Sequence, residues 1–172
     1  MAKPETADAV DTIVGQWRRE LPELDVDPME VFGRIHRTSA LTSRKLRTVF
    51  NAHGITNSEF DVLASLRRSA KPFELSPKQI SAALMLTSGG LTARLDKLER
   101  AGFVERLPDP NDRRGLRIRL TTAGRQAVEG AVADEVVLLR QVLDSALSPA
   151  ETRTLGRLLG KLHGAYAGEA ID

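Results

Sequence analysis

LPDPNDRRGLRIRLT, residues 107–121, opens in turn residues, sets two arginines side by side and closes in strict alternation: Leu116, Arg117, Ile118, Arg119, Leu120. A period of two is the signature of a strand with one packed face. Leu116, Ile118 and Leu120 are therefore expected inward, and Arg117 and Arg119 outward. A strand over about 103–107 and another over about 116–121 would form a hairpin. Its loop of Asp, Pro, Asn and Gly carries Arg113 and Arg114. Asp109 and Asp112 repel phosphate, so they are expected to bond loop amides or brace an arginine.

Helical signals surround this hairpin. Val10, Ile13, Val14, Trp17 and Leu21 recur at helical spacing from Ala7 to about Leu21. Pro28 opens a second helix reaching about His53, with Phe32, Ile35, Leu46, Val49, Phe50 and His53 near one face and Gly54 as its C-cap. Thr56 and Glu59 form a capping-box pattern for a helix through about Ser69, with Phe60, Leu63 and Leu66 inward. Ser76-Pro77-Lys78-Gln79 starts a short helix to about Leu84, burying Ile80 and Leu84. Another begins at Thr87 and runs to about Arg100, with Leu91, Leu95 and Leu98 inward and Gly102 as its cap. After the hairpin, helices are expected over about 122–147 and from Ser148 onward, the last with Leu155, Leu158, Leu159 and Leu162 in one stripe.

Composition narrows the function. The 172 residues include no cysteine, which removes disulfides and thiolate metal sites. His36, His53 and His163 lack metal-ligand spacing, and no P-loop, GxGxxG or GxSxG occurs, so an enzyme is not expected and no cofactor is called for. No apolar run reaches the roughly 18 residues that span a bilayer, and the N-terminus lacks a signal-peptide pattern. No membrane partner and a cytoplasmic location are expected. The net charge of +2 conceals an asymmetry: net −5 over residues 1–32, +10 over 33–125 and −3 over 126–172. A basic centre between acidic ends fits a polyanion-binding lobe, or more plainly a solvated basic surface.

Two short helices joined by a tight turn form a helix-turn-helix, and a following hairpin makes it a winged helix. The second helix opens Thr87-Ser88-Gly89-Gly90-Leu91-Thr92, whose hydroxyls suit phosphate or base edges. Its two glycines cost about 1 kcal/mol each relative to alanine, which is understandable where the backbone must approach another surface. The fold class expected is mainly α with a small β-hairpin. Candidate DNA contacts are Ser76 and Lys78 on the first of these helices, and Thr87, Ser88, Gly89 and Thr92 on the second. In the hairpin they are Asp112, Arg113, Arg114 and Arg117, the arginines reaching towards the negative potential of a minor groove.

The run DPNDRRGLRIRLTTAGR resembles the wing signature of the MarR family of bacterial transcription regulators. TSGGLTARLDKLERAGFVER resembles that family's recognition helix leading into the first wing strand, and the likeness spans about residues 8–166. It implies a homodimer, usually a repressor, on a palindromic double-stranded DNA operator. The division implied is a disordered end at 1–6, helical dimerisation regions at 7–55 and 122–172, and a DNA-binding lobe at 56–121. Apolar stripes on the terminal helices, with little else to cover them, support a dimer independently.

WRRELPELDVDPMEVFGRIHR is similar to the urate-responsive branch of the family, the HucR- and PecS-like regulators. That likeness implies an effector pocket of Trp17, Asp61, Arg94 and Arg106, for urate or a similar small organic anion such as a tricarboxylate. The chemistry is coherent: arginine offers a planar donor fork, and tryptophan a flat apolar wall. Asp61 paired with Arg94 would be displaced by an incoming anion, tilting the recognition helix and disturbing a half-site spacing of about 34–36 Å. Plainer roles stand beside these: dimer packing for Trp17, phosphate contact for Arg94, a strand-edge position for Arg106. Alternatives are a MarR-type regulator of phenolic or drug-like ligands and an effector-independent DNA-binding protein.

Overall fold

The computed structural model describes residues 7–84, 88–110 and 112–166. The expected disordered end at 1–6, and Thr87, lie outside the described residues, as do the side chains of Ser88, Gly89, Arg113 and Arg114. The chain divides within its second helix into two compact units, one up to Lys45 and one from Leu46.

The first unit contains α1 (Ala9–Glu20) and the N-terminal part of α2 (Pro28–Ala52). Asp8 caps α1 in a reciprocal box with Asp11. The expected apolar stripe of α1 splits in two. Val10 and Val14 are buried with Val26, while Ile13, Trp17 and Leu21 remain largely exposed. The spacing explains this: residues 10 and 14 form one i, i+4 ridge, and residues 13, 17 and 21 form the next, which the α1–α2 packing does not cover. Phe32, one of the residues read near one face of the second helix, is exposed as well.

The second unit holds the main core. α3 (Asn57–Arg68), α4 (Pro77–Leu84) and α5 (Ser88–Arg100) precede β2 (Val104–Asp109) and β3 (Asp112–Leu120), with a short β1 (Glu74–Leu75) between α3 and α4. α6 (Thr122–Ala146) and α7 (Pro149–Gly164) follow. Leu63, Leu66, Ile80, Leu98 and Ile118 are fully buried at its centre, and the Phe50 and Phe60 rings stack at 4.1 Å. The capping boxes read at Thr56 and Ser148 form as expected, and Ser76 and Gln79 exchange the same pair of bonds at the start of α4. Leu84 is partly buried against this core.

Three features depart from the sequence reading. The sheet has three strands in the order β1-β3-β2, all antiparallel, because Glu74 and Leu75 pair with Arg119 and Ile118. Two residues after Lys71-Pro72 are too short to show alternation. The wing strands also run further than expected. Asp109 pairs with Asp112, with a register irregularity at Pro108/Asp109, so the backbones of Arg113 and Arg114 lie in β3 rather than in a loop. Finally, Leu116 is 45% exposed, whereas Ile118 and Leu120 are buried as expected. Leu116 is opposite Pro108, beyond the reach of the helical core.

Gly124 fixes the junction of wing and α6. A Cβ there would stand 2.0 Å from the Phe103 carbonyl oxygen, so no larger residue fits. Thr121 caps α6, accepting from the Gly124 amide, while its hydroxyl reaches the Gly102 carbonyl at 2.7 Å.

Candidate functional site

α4, α5 and the wing enclose a cleft of about 790 Å³ whose wall includes Lys78, Ser81, Thr92, Asp96, Arg106 and Leu116. Each element exposes its polar side here for a local reason. α5 buries Leu91, Leu95 and Leu98, which leaves Thr92 and Lys97 on the solvent side. On α4, Ile80 anchors the helix and Lys78 stays exposed. The Ser76 hydroxyl oxygen accepts from the Gln79 amide at 3.2 Å.

Arg106 is the electrostatic centre of this cleft. It pairs with Ile118 in the β2–β3 register, which places its side chain on the helix-facing side of the wing. There the guanidinium donates to Asp96 at 2.6 Å and also to Glu99, both on α5. Bonding to Asp96 is the main cause of its raised pKa. A single cation thus ties the wing base to the second helix of the helix-turn-helix. The partners Asp96 and Glu99 were not read from sequence. Their i, i+3 spacing puts both carboxylates on one face of a helix. Counting alternation back from Ile118 across the hairpin would have aimed Arg106 at that face.

The outer face of the wing is braced the other way. Arg117 donates to Asp109 at 2.8 Å, and Asp109 is only 11% exposed. Gly115 makes room for this pair, since a Cβ there would meet the Asp109 and Asp112 side chains at 2.9 Å. The bracing role expected for an aspartate is therefore seen at Asp109, which holds the Arg117 guanidinium. Arg119 bridges Glu105 at 2.7 Å and Glu74 at 3.4 Å, so one cation crosses all three strands.

Within the second unit the expected effector residues divide between two surroundings. Asp61 on α3 and Arg94 on α5 are near enough for Arg94 to pull the Asp61 pKa down, but no direct bond joins them. Burial outweighs that pull and raises the carboxyl above its ordinary range. Arg68 also acts on Asp61, and Glu135 on α6 faces it, its own pKa raised by burial and by Asp61. Glu135 was not read from sequence, since only the α3–α6 packing brings it to Asp61. Arg106 lies instead against Asp96 and Glu99, and Asp96 is roughly 200° around α5 from Arg94. Trp17 belongs to the first unit, 44% exposed on α1.

A helical lobe that ends in α4, α5 and a β2–β3 wing defines a winged helix-turn-helix protein. Residues 53–115 match the MarR family model. The chain is 44% identical over 153 residues to the HTH-type transcriptional regulator PecS of Dickeya dadantii (strain 3937), covering 89% of this chain and 92% of that protein. It is 36% identical over 128 residues to the multiple antibiotic resistance protein MarR of Escherichia coli (strain K12), covering 74% and 87%. A mutant MarR from E. coli complexed with operator DNA is similar in structure, with a TM-score of 0.68 at 32% identity over 85% of this chain and 96% of that one. AbsC, a MarR family transcriptional regulator from Streptomyces coelicolor, shares the fold with a TM-score of 0.72 at 22% identity, covering 85% and 99%. The chain belongs to the MarR family. No helix among the described residues is long and apolar enough to cross a membrane.

Proposed function

We propose that this chain is a transcription regulator, acting as a repressor, that binds a palindromic operator as a homodimer and is released by a small organic anion such as urate or a tricarboxylate. The observation that carries the DNA reading is the cleft-lined lobe in which Lys78 and Thr92 stand beside the wing bearing Arg113 and Arg114. The likeness to a MarR solved with operator DNA supports it. α5 enters the major groove and the wing arginines follow the adjacent minor groove. The exposed apolar residues of the helices support a dimer. In the second unit Val132, Val136, Leu155, Leu158 and Leu159 lie open on α6 and α7, and in the first Ile13 does on α1.

The effector reading rests on the Asp61–Arg94 neighbourhood, together with the resemblance that assigns Trp17 and Arg106. A bound anion recruits Arg94, which sits on the recognition helix, and repels Asp61. The motion of α5 that follows lowers DNA affinity. The test is fluorescence anisotropy of a labelled duplex from upstream of the gene, titrated with urate and separately with citrate. Release by one of them, lost in Arg94→Ala while DNA binding persists, is the expected result. No release by either, or release unchanged in Arg94→Ala, overturns the effector reading.

A further inference from the structure

α1 contributes little buried apolar surface to its seat on α2. Its buried contribution is two valines, Val10 and Val14, against Val26. The helices meet closely at Gly33, where a Cβ would lie 2.9 Å from Val10 Cγ1. Charge does much of the remaining work, and its arrangement is specific. Asp8 Oδ1 accepts from the Val10 and Asp11 amides, capping α1 at 2.7 and 3.0 Å. Asp11 Oδ2 accepts from the Asp8 amide at 2.8 Å. Each carboxylate keeps its other oxygen, and Arg34 of α2 takes both: Nε to Asp8 at 3.0 Å and Nη2 to Asp11 at 2.5 Å. At the other end of α1, Arg18 bonds Asp27 at 2.6 Å and Glu30 at 2.7 Å. Trp17 is the residue next to Arg18, and it is held mainly by the seating of α1, since its own ring is half open.

We infer that Arg34 is a positioning residue: it latches α1 onto α2 through the two capping carboxylates and so fixes where Trp17 stands. The inference rests on the reading that Trp17 belongs to the effector site. An arginine suits the position because its planar fork presents Nε and Nη2 to two carboxylates at once, where lysine offers a single point charge. Loss of Arg34 frees one oxygen of each carboxylate but leaves the capping box intact, so α1 stays helical while its seating loosens. A latch built from exposed pairs also weakens as salt screens it, over a length of about 8 Å at physiological ionic strength.

The single tryptophan makes this directly readable. Emission maximum and acrylamide quenching of Trp17 are measured in wild type, Arg34→Ala and Arg34→Lys, from low to high NaCl, alongside urate titrations and thermal melts. Arg34→Ala is expected to red-shift the emission and raise the quenching constant, with the far-UV helical signal kept. Wild type should approach that state at high salt, and Arg34→Lys should recover part of the low-salt signal. The urate midpoint should rise in Arg34→Ala in step with the emission change. Unchanged emission and quenching in Arg34→Ala overturn the latch. A changed emission with an unchanged urate midpoint overturns the positioning role. If urate leaves wild-type Trp17 and DNA release untouched, it is the effector reading that fails, and the emission data alone then decide whether Arg34 seats the helix.

Discussion

Arg106 and Asp96 stand 2.6 Å apart, one on the first wing strand and the other on the helix that precedes it. With Glu99 on the same guanidinium, one side chain ties the wing base to α5. That coupling matters for a DNA reader, since the groove contacts of helix and wing must keep a fixed mutual geometry.

Arg106→Met keeps the stem and removes both pairs. Its partners are well exposed, so the loss should be about 1 kcal/mol, or roughly 2–4 °C in Tm for a chain of this size. Operator affinity should fall by more than stability alone explains. Thermal melts and anisotropy on the same samples check this.

Gly124→Ala places a methyl against the Phe103 carbonyl, an overlap that no side-chain rotation relieves. Destabilisation of about 3 kcal/mol is expected, at the upper end for overpacking, because backbone must shift. Urea denaturation measures it.

Asp61 has a raised pKa, caused first by burial, so its charged form is disfavoured in the fold. Its contribution is fully favourable below the ordinary carboxylate range and is lost as pH rises through the raised value. Asp61→Asn should therefore raise Tm at pH 7 and leave it nearly unchanged at about pH 2.5, where folded and unfolded states are both protonated. The opposite pattern, a variant less stable at neutral pH, would mean that Arg94 and Arg68 dominate the site instead.

Ser76 caps α4 and is proposed to contact DNA, and two substitutions separate these roles. Ser76→Ala removes the α4 cap and should cost about 1 kcal/mol. Ser76→Asp keeps the cap but adds a negative charge where DNA phosphate is expected. It should hold Tm near wild type while weakening operator binding about tenfold.

Most of the element order was legible from local rules. Capping pairs such as Thr56 with Glu59 and Ser148 with Glu151 are contacts three residues apart, and the spacing of Leu91, Leu95 and Leu98 defines an inward face. What stayed hidden depends on distant pairing. β1 exists only because Glu74 and Leu75 find β3. The Arg106 clamp needs the hairpin register and the α5 face together. Glu135 reaches Asp61 only once α6 has packed on α3. The split of the α1 stripe was hidden for the same reason: helical spacing marks Val10, Ile13, Val14 and Trp17 alike, and only the neighbour decides which ridge is covered.

Arg113 and Arg114 are proposed to give the wing its grip on DNA. The salt dependence of operator binding by wild type and by Arg113→Ala/Arg114→Ala, with equal Tm confirmed first, tests this. Weaker binding by the double variant is expected, with a log–log salt slope shallower by up to about 1.8, the release of counterions from two phosphate contacts. Equal affinity and an unchanged slope would contradict it.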